Sequence, residues 1–170
     1  MSRLWLVLIP ALLSGSAWAT NINIGGVVVA SSCTVNVNTV SKTIEFSPVG
    51  ARSLSDAGSG GEWQNFQLKV IDCPESVQKV TLTLSGTADD DDVTAFANSG
   101  SAERVALRLT NLTRDVVYSN GSLITKDIEI SEADGMRFSR FPLSARIFTP
   151  QGGAKGGTFA SIVNADFTYQ

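Results

Sequence analysis

The sequence predicts an all-β fold, an antiparallel sandwich or barrel, and the pattern of its residues carries this prediction. Short apolar stretches alternate with polar residues along most of the 170-residue chain, which is the period of a half-buried strand. Glycine, asparagine, aspartate and proline separate these stretches at close spacing, as turns do in antiparallel sheets. No segment keeps a helical period over about 11 residues, and neither an internal repeat nor a second domain is visible.

The internal strands are predicted from alternating apolar residues between turn signals. In chain order they span residues 33–37, 43–46, 66–70, 80–84, 105–109, 116–118, 124–130 and 141–147. Residues 47–61 are rich in serine, glycine and alanine and predict a loop, while residues 88–92 predict an acidic turn. Asn120-Gly121 is a hairpin signal, so the short strands on either side of it are expected to pair with each other.

The last predicted strand, residues 157–170, raises the question of what covers its edge. One face carries apolar side chains, interrupted only by Ser161: Phe159, Val163, Ala165, Phe167 and Tyr169. A strand this long and apolar is an aggregation hazard unless both edges are paired. The preceding strand is a possible neighbour on one side, and the neighbour on the other side is left open.

The first 19 residues predict a secretory signal peptide. Arg3 supplies the positive end, residues 4–13 form the apolar core, and Ala17-Trp18-Ala19 fits a cleavage site. The apolar run is shorter than the roughly 20 residues of a membrane-spanning helix. The mature chain is then expected to begin at Thr20 as one domain of about 150 residues. Removal of Arg3 changes the formal charge from −3 to −4, which does not favour nucleic acid as a partner.

The segment after the signal, residues 20–32, is a second strand-like stretch. One parity forms an apolar face of Ile22, Ile24, Gly26, Val28 and Ala30. The pattern fits an ordinary first strand of the domain, and it also fits a strand offered to another molecule. Periodicity alone leaves both interpretations open.

Cys33 and Cys73 are the only two cysteines of the chain. In an exported protein two cysteines most simply form one disulfide. The chain contains no histidine, and two cysteines this far apart make a poor zinc site.

Enzymatic chemistry finds little support in the residue types. Without histidine, Ser-His-Asp and Cys-His nucleophile systems and histidine-ligated metals are absent. The run Asp89 to Asp92 lacks the interleaved glycine and distal carboxylate of a calcium loop, so a solvated turn is expected. No Gly-Lys-Ser/Thr follows the glycines of residues 152–157, which excludes a phosphate loop. We therefore expect no enzyme activity, cofactor, metal or small-molecule substrate.

Several motifs together carry a resemblance to a known family. They are the glycine-containing arm before Cys33-Thr34-Val35, Trp63 ahead of residues 66–74, VTLTLSGTAD at residues 80–89, Phe141-Pro142-Leu143, and an ending with Gly157 fourteenth from the C-terminus and Tyr169 as the penultimate residue. Nearly the whole mature chain thus resembles the subunits of chaperone–usher pili, and in particular the minor tip adaptor subunits of type 1 fimbriae.

This resemblance implies an incomplete immunoglobulin-like sandwich that lacks its last strand and is completed by a donor strand from a partner. Chaperone–pilin complexes are a standard example of such strand addition. In the periplasm the chaperone supplies the strand, and in the fibre the arm of the next subunit does. The implied groove residues are Phe159, Val163, Phe167, Tyr169 and Gln170, with Gly157 as the family landmark.

By the same resemblance, residues 20–32 are the arm that this protein donates, with residues 33–170 as the pilin domain. Ile22, Ile24, Val28 and Ala30 are expected to enter a neighbour's groove, and Gly26 to lie where a side chain does not fit. The implied partners are a periplasmic pilus chaperone, an outer-membrane usher and neighbouring subunits that include a tip adhesin. The implied location is the cell-surface fimbrium, reached through the periplasm.

Two other functions are weighed against a tip adaptor. A major rod subunit of the same system has a similar domain, and the sequence does not fix the position in the fibre. A stand-alone secreted carbohydrate-binding sandwich needs a cluster of aromatic side chains. Trp63 is the single tryptophan after the predicted signal, and packing is the expected role of its side chain.

Overall fold

A computed structural model describes residues 32–170, which form two antiparallel β-sheets. The strands are β1 Thr34–Val35, β2 Gln64–Ile71, β3 Lys79–Gly86, β4 Phe96–Ala97, β5 Ala106–Thr110, β6 Val117–Tyr118, β7 Leu123–Asp127, β8 Glu129–Ile130, β9 Arg137–Phe148 and β10 Val163–Tyr169. A one-turn helix α1, Val37–Val40, and a 3-10 turn, Ala51–Leu54, are the helical elements of this range. No helix within residues 32–170 is long and apolar enough to cross a membrane. The predicted all-β antiparallel fold is confirmed.

The two sheets face each other and enclose one main core. The seven-stranded sheet has the order β1-β2-β9-β5-β4, with β6 added to β5 and β8 to β9, and the three-stranded sheet has the order β10-β3-β7. Fully buried side chains from both sheets meet between them: Val70, Val80, Leu82, Leu84, Phe141 and Leu143. Each large side chain buried in this way stabilises the fold by about 1.5–3 kcal/mol.

The two long central strands follow the residue alternation closely. In β3, Val80, Leu82 and Leu84 face the core while Thr81 and Thr83 are half-exposed. β9 pairs with β2 through residues 139–145 and with β5 through residues 144–148, so it joins the two halves of the seven-stranded sheet. β-branched and apolar residues at every second position thus form strands where the predicted period indicated them.

The predicted disulfide is confirmed. Cys33 lies just before β1 and Cys73 just after β2, and the bond joins the start of the domain to its second strand. Both cysteines are buried in the main core.

The predicted strand at residues 33–37 is shorter than its alternation indicated. β1 has two residues, because Asn36 ends it and begins α1. The Asn36 side chain accepts a hydrogen bond from the Asn38 amide at 3.0 Å, which is an N-cap and satisfies a free amide of the first helical turn.

The predicted strand at residues 43–46 is absent from the structure. The segment is extended, and Ile44 and Phe46 are half-buried while Thr43 and Glu45 are exposed, so the alternation itself is real. No strand of the described chain pairs with it. Alternating burial without a hydrogen-bonded neighbour therefore explains why the pattern indicated a strand that the sheet does not contain.

The hairpin predicted at Asn120-Gly121 is wrong, although the turn exists. Gly121 has a φ of 83°, and the Ser122 amide donates to the Ser119 carbonyl at 3.0 Å. However, β6 pairs with β5, and β7 pairs with β3 in the other sheet. The turn carries the chain from one sheet to the other, which a local turn signal cannot distinguish from a hairpin.

The last strand differs from its prediction in two ways. β10 begins at Val163 rather than near residue 157, and its neighbour is β3 rather than the preceding strand β9. Residues 158–160 instead bond to the loop at 98–102, through Ser99 N–H to the Ala160 carbonyl and Ala102 N–H to the Thr158 carbonyl. Residues 149–162 thus carry the chain from the end of β9 to the edge of the opposite sheet.

Candidate strand-acceptor groove

β10 is an edge strand whose second side has no partner in the described part of the chain. Its pairing with β3 is continuous from Val163 opposite Gly86 to Tyr169 opposite Val80. In an antiparallel ladder, the main-chain groups that do not face one neighbour face the other side. The free side of β10 therefore presents a row of N–H and C=O groups that a further strand can satisfy.

The inward face of β10 is only half-buried. Along the strand every second side chain faces the core, and all four of these are partly exposed: Val163, Ala165, Phe167 and Tyr169. The β3 residues opposite the last three of them are fully buried: Leu84, Leu82 and Val80. Phe167 contacts Phe141 with the ring centroids 5.6 Å apart. The core thus lacks one layer of cover along this edge.

The facing wall of the groove is formed by residues 43–49. Phe46 contacts Phe159 edge-to-face, with the ring centroids 6.1 Å apart. Within residues 32–170, no backbone group of residues 43–49 is hydrogen-bonded to another backbone group. Main-chain groups without partners thus lie on both walls, and an inserted strand would satisfy such groups on each side of it.

Between these walls lies an open groove of about 1370 Å³ with an apolar floor. Side chains of both sheets form the floor, including Leu68, Leu84, Leu107, Leu109 and Leu143. The ionisable side chains that line it are few: Lys42, Glu45, Lys155 and Asp166. Near this lining, on the inward face of β10, partial burial raises the pKa of the Tyr169 hydroxyl above its ordinary value. Because the lining is mostly apolar, the groove suits an apolar strand better than a polar ligand.

Gly157 lies at the crossing of two chain segments. A Cβ on this residue would approach the Ala102 amide nitrogen to 2.4 Å and the Ser101 carbonyl carbon to 2.5 Å. Real Cβ atoms do not come this close to backbone. Gly157, the family landmark, is therefore required because the backbone of residues 101–102 passes so close to it. This crossing fixes the path of the chain before β10.

Gln170 follows β10 and lies beside the start of β3. Its backbone oxygen accepts hydrogen bonds from the Gln78 amide at 2.6 Å and the Lys79 amide at 2.9 Å, and its own amide donates to the Lys79 carbonyl. These bonds hold the C-terminus against the start of β3. No sequence signal indicated this contact, because residues 78–79 lie far from Gln170 along the chain.

The predicted site residues have different outcomes. Phe159, Val163, Phe167, Tyr169 and Gln170 are brought to one edge of the domain. The predicted donor residues Ile22, Ile24, Gly26, Val28 and Ala30 lie outside the described residues. The sequence missed the wall at residues 43–49, although the parity of Ile44 and Phe46 was the available signal.

Two carboxylates of the acidic turn at residues 88–92 have partners, one within the turn and the other both next to the turn and on β5. Asp89 Oδ1 accepts from the amides of Asp91 and Asp92, both at 3.1 Å. Asp92 accepts from Thr94 and pairs with Arg108. Across residues 32–170, no group of three or more histidine, cysteine or acidic side chains is arranged to hold a metal ion.

Comparisons with known proteins place the chain in a family. The family model described as "Fimbrial protein" matches residues 22–170. The chain belongs to the fimbrial protein family. Protein FimG of Escherichia coli K12 is 30% identical over 166 residues, which cover 96% of this chain and 94% of the relative. The uncharacterized fimbrial-like protein YdeR of the same strain is 30% identical over 170 residues, which cover 99% and 96%.

The fold of this fimbrial subunit is also found in solved structures. The P pilus rod subunit PapA superposes with a TM-score of 0.64 over 81% of this chain and 99% of that chain, at 16% identity. These relatives and neighbours are structural subunits and not enzymes. The protein is thus a fimbrial subunit with an incomplete immunoglobulin-like fold, which assembles with other subunits into a surface fimbrium.

Trp63 lies on the outer face of the seven-stranded sheet of the subunit rather than in the main core. The guanidinium carbons of Arg146 and Arg114 lie 4.7 Å and 5.0 Å from the centre of its indole ring. The side chain packs, as expected, but its partners are arginines and not core residues.

Proposed function

We propose that this fimbrial subunit joins its neighbours by donor-strand exchange and serves as an adaptor at the tip of a chaperone–usher pilus. The observation that carries the proposal is the free edge of β10 beside a half-buried apolar face. An apolar groove of this kind is a liability in water unless it is filled. The occupant in the fibre is the N-terminal arm of another subunit.

The arm of this chain, residues 20–32, has the complementary chemistry. Ile22, Ile24 and Val28 supply large aliphatic side chains at alternating positions. Burial of these three in a neighbour's groove contributes roughly 5–9 kcal/mol before the entropy of ordering the arm is subtracted. Main-chain hydrogen bonds along both edges add to this, and the exposed edge of β10 disappears.

Before assembly, a strand of a periplasmic chaperone fills the same groove, and an outer-membrane usher then receives the complex. The resemblance implies that basic residues of the chaperone hold the terminal carboxylate. The backbone oxygen of Gln170 accepts from the amides of Gln78 and Lys79, which holds this residue beside the start of β3 for such a contact. This route places the protein in the periplasm on its way to the cell surface.

The tip position rests on the motifs that resemble minor tip subunits, from the arm to Gly157 and Tyr169. A major rod subunit is the second candidate, because the fold is shared with the rod subunit PapA. A rod subunit needs an arm that fits its own groove, whereas an adaptor needs an arm that fits a different one. Self-polymerisation of the purified subunit therefore separates the two candidates.

The docking role of β10 is tested by Tyr169→Ser. Tyr169 lies on the inward face of β10 and is half-buried, while its neighbour Thr168 faces away and is exposed, so Thr168→Ser is the matched control. Loss of the ring is expected to weaken capture by a purified periplasmic pilus chaperone at least tenfold, with capture of Thr168→Ser unchanged. Equal binding of both variants would show that β10 is not the docking strand.

A further inference from the structure

On the outer face of the seven-stranded sheet, three arginines gather around one tryptophan. We call this group the arginine–tryptophan cluster: Trp63, Arg108, Arg114 and Arg146. Arg146 on β9 lies directly opposite Arg108 on β5. Trp63 immediately precedes β2 and contacts the guanidinium groups of Arg146 and Arg114. Like charges directly opposite each other on a sheet are destabilising, so this arrangement calls for a physical reason.

The charge of this cluster is not balanced within residues 32–170. Asp92 neutralises Arg108, but no carboxylate of the described chain forms an ion pair with Arg114 or Arg146. The nearest acid in sequence, Asp115, accepts from Asn111 and Thr113.

Arg146 itself is poorly satisfied. The Arg146 Nε is buried without a hydrogen-bond partner, and its Nη2 reaches only the Gly58 carbonyl, at 3.4 Å. Burial, together with the charges of Arg108 and Arg114, holds the pKa of Arg146 below its ordinary value.

A second pairing of arginine and aromatic side chain on the same sheet face shows how such a group is normally balanced. The Arg140 guanidinium carbon lies 5.2 Å from the Phe138 ring centre, and Lys69 lies over the same ring at 4.4 Å. There Glu129 on the neighbouring strand pairs with Arg140. Arg114 and Arg146 have the same stacking on Trp63, but no acid of residues 32–170 pairs with either of them.

We propose that the arginine–tryptophan cluster binds the carboxylate or sulfate group of an acidic oligosaccharide. The planar guanidinium groups of Arg114 and Arg146 present paired donors that match either anion. Beside them, the exposed amide side chains of Asn65 and Gln67 continue the row of Trp63 along the outer face of β2, where they can hydrogen-bond sugar hydroxyls.

The position of the cluster favours a saccharide over an acidic peptide. At Arg146, β9 is bonded to β5 on one side and, through the Gly61 N–H and the Ile147 carbonyl, to the chain before β2 on the other, so no open main-chain edge is available beside Arg146 for an added peptide strand. The face also points away from the groove between the sheets. The site therefore does not depend on donor-strand exchange, and it stays accessible while the groove is filled.

The test uses Trp63 as an intrinsic probe, because it is the only tryptophan after residue 18. The protein from Thr20 onward is titrated with sialyllactose, a sulfated heparin disaccharide and neutral lactose while its fluorescence is followed. A saturable change with at least one acidic sugar and none with lactose is expected. The two acidic sugars distinguish a carboxylate ligand from a sulfate ligand.

Substitutions decide whether the cluster is the site. Arg146→Gln and Arg114→Gln are each expected to raise the Kd about tenfold or more, since each removes a charge-assisted hydrogen bond. Arg140→Gln, on the same face, is the matched control and is expected to leave the Kd unchanged. Arg146→Lys, which keeps the charge and loses the fork, should bind with intermediate affinity and serves if Arg146→Gln does not fold.

Three results would overturn the proposal. One is the absence of saturable binding for both acidic sugars. Another is an equal loss for Arg140→Gln and Arg146→Gln, which indicates unspecific attraction. The third is tighter binding of a peptide that carries the acidic run of residues 88–92, which indicates a contact between subunits instead.

Discussion

Gly157 shows how one residue fixes the position of a whole strand. A methyl group at this residue overlaps the backbone of residues 101–102, and backbone cannot move aside as a flexible side chain can. We expect Gly157→Ala to lower the free energy of unfolding by about 1–3 kcal/mol, the usual range for overpacking. Denaturant unfolding of the purified subunit measures this change.

The adjacent glycine provides the control for this prediction. A Cβ at Gly156 has no heavy atom within 4 Å, and neither Gly156 nor Gly157 has a positive φ. Gly156→Ala should therefore leave the unfolding free energy unchanged or raise it slightly, because alanine restricts the unfolded chain. Similar losses in both variants would mean that the crossing with residues 101–102 is not what requires Gly157.

Asp92 links the acidic turn to the seven-stranded sheet in a pH-dependent way. Burial alone would raise the pKa of Asp92, but hydrogen bonds from Thr94 and the charge of Arg108 outweigh it and hold the pKa below the ordinary value of 3.8. A carboxyl with a lowered pKa in the folded state stabilises the fold above its unfolded pKa. This contribution is lost as the pH falls through the folded pKa.

Asp92→Asn is therefore expected to lower the free energy of unfolding by about 1–3 kcal/mol at pH 7, since it leaves a half-buried arginine unpaired. The difference from the unsubstituted protein should shrink as the pH falls below about 4. Asp127→Asn is the control, because its pair with Lys79 is largely exposed and is worth little. A difference that stays constant from pH 7 to pH 2.5 would argue against the role of the Asp92 charge.

At the scale of elements, the sequence predicted strands well and their partners poorly. The alternation of Val80, Leu82 and Leu84 is a local property, and these residues alternate in β3 as predicted. Pairing is not local: β10 bonds to β3, which lies about half the chain away, rather than to β9. Nothing in residues 163–169 specifies that choice, which depends on how both sheets close over the core.

The same distinction explains the two strand errors. Residues 43–46 alternate because they line a groove, and alternation needs only one buried side and no hydrogen-bonded neighbour. Asn120-Gly121 turns the chain as predicted, yet the strands on either side enter different sheets. Local sequence thus determines conformation here, while tertiary contacts determine which edges meet.

Only one wall of the groove was predictable, because only that wall follows from local alternation. The half-buried face of Phe159, Val163, Phe167 and Tyr169 follows from parity along one segment. The opposite wall and the amides of Gln78 and Lys79 come from distant parts of the chain. They could be found only once the fold had brought them to the C-terminal edge.

At the scale of the whole molecule, the proposed arm and the groove make each subunit both a donor and an acceptor. A head-to-tail contact of this kind does not close on itself, so repeated association extends a linear fibre. The subunit at each position is then selected by the fit between one arm and the next groove. An adaptor has an arm and a groove that fit different partners.

The arm prediction follows from this division of roles. Deletion of residues 20–31 removes the proposed donor strand and leaves β10 and its groove in place. The truncated subunit should therefore still bind the chaperone, because capture uses the groove. It should fail to insert into the subunit that it normally caps, and it should be missing from purified fibres when these are probed with an antibody against the pilin domain.

Substitutions within the arm test whether its apolar face is required, and not only its length. Ile24→Asp places a charge on the inward parity, and it is expected to reduce incorporation as strongly as the deletion because an unpaired charge in an apolar groove is costly. Asn23→Asp adds the same charge on the outward parity and should leave incorporation nearly unchanged. Normal incorporation of the Ile24 variant, or equal loss for both variants, would contradict a strand that inserts with alternate side chains buried. Loss of chaperone binding in the deletion variant would mean that the domain itself needs residues 20–32 to fold. These residues would then be an ordinary first strand of the domain and not a donor strand.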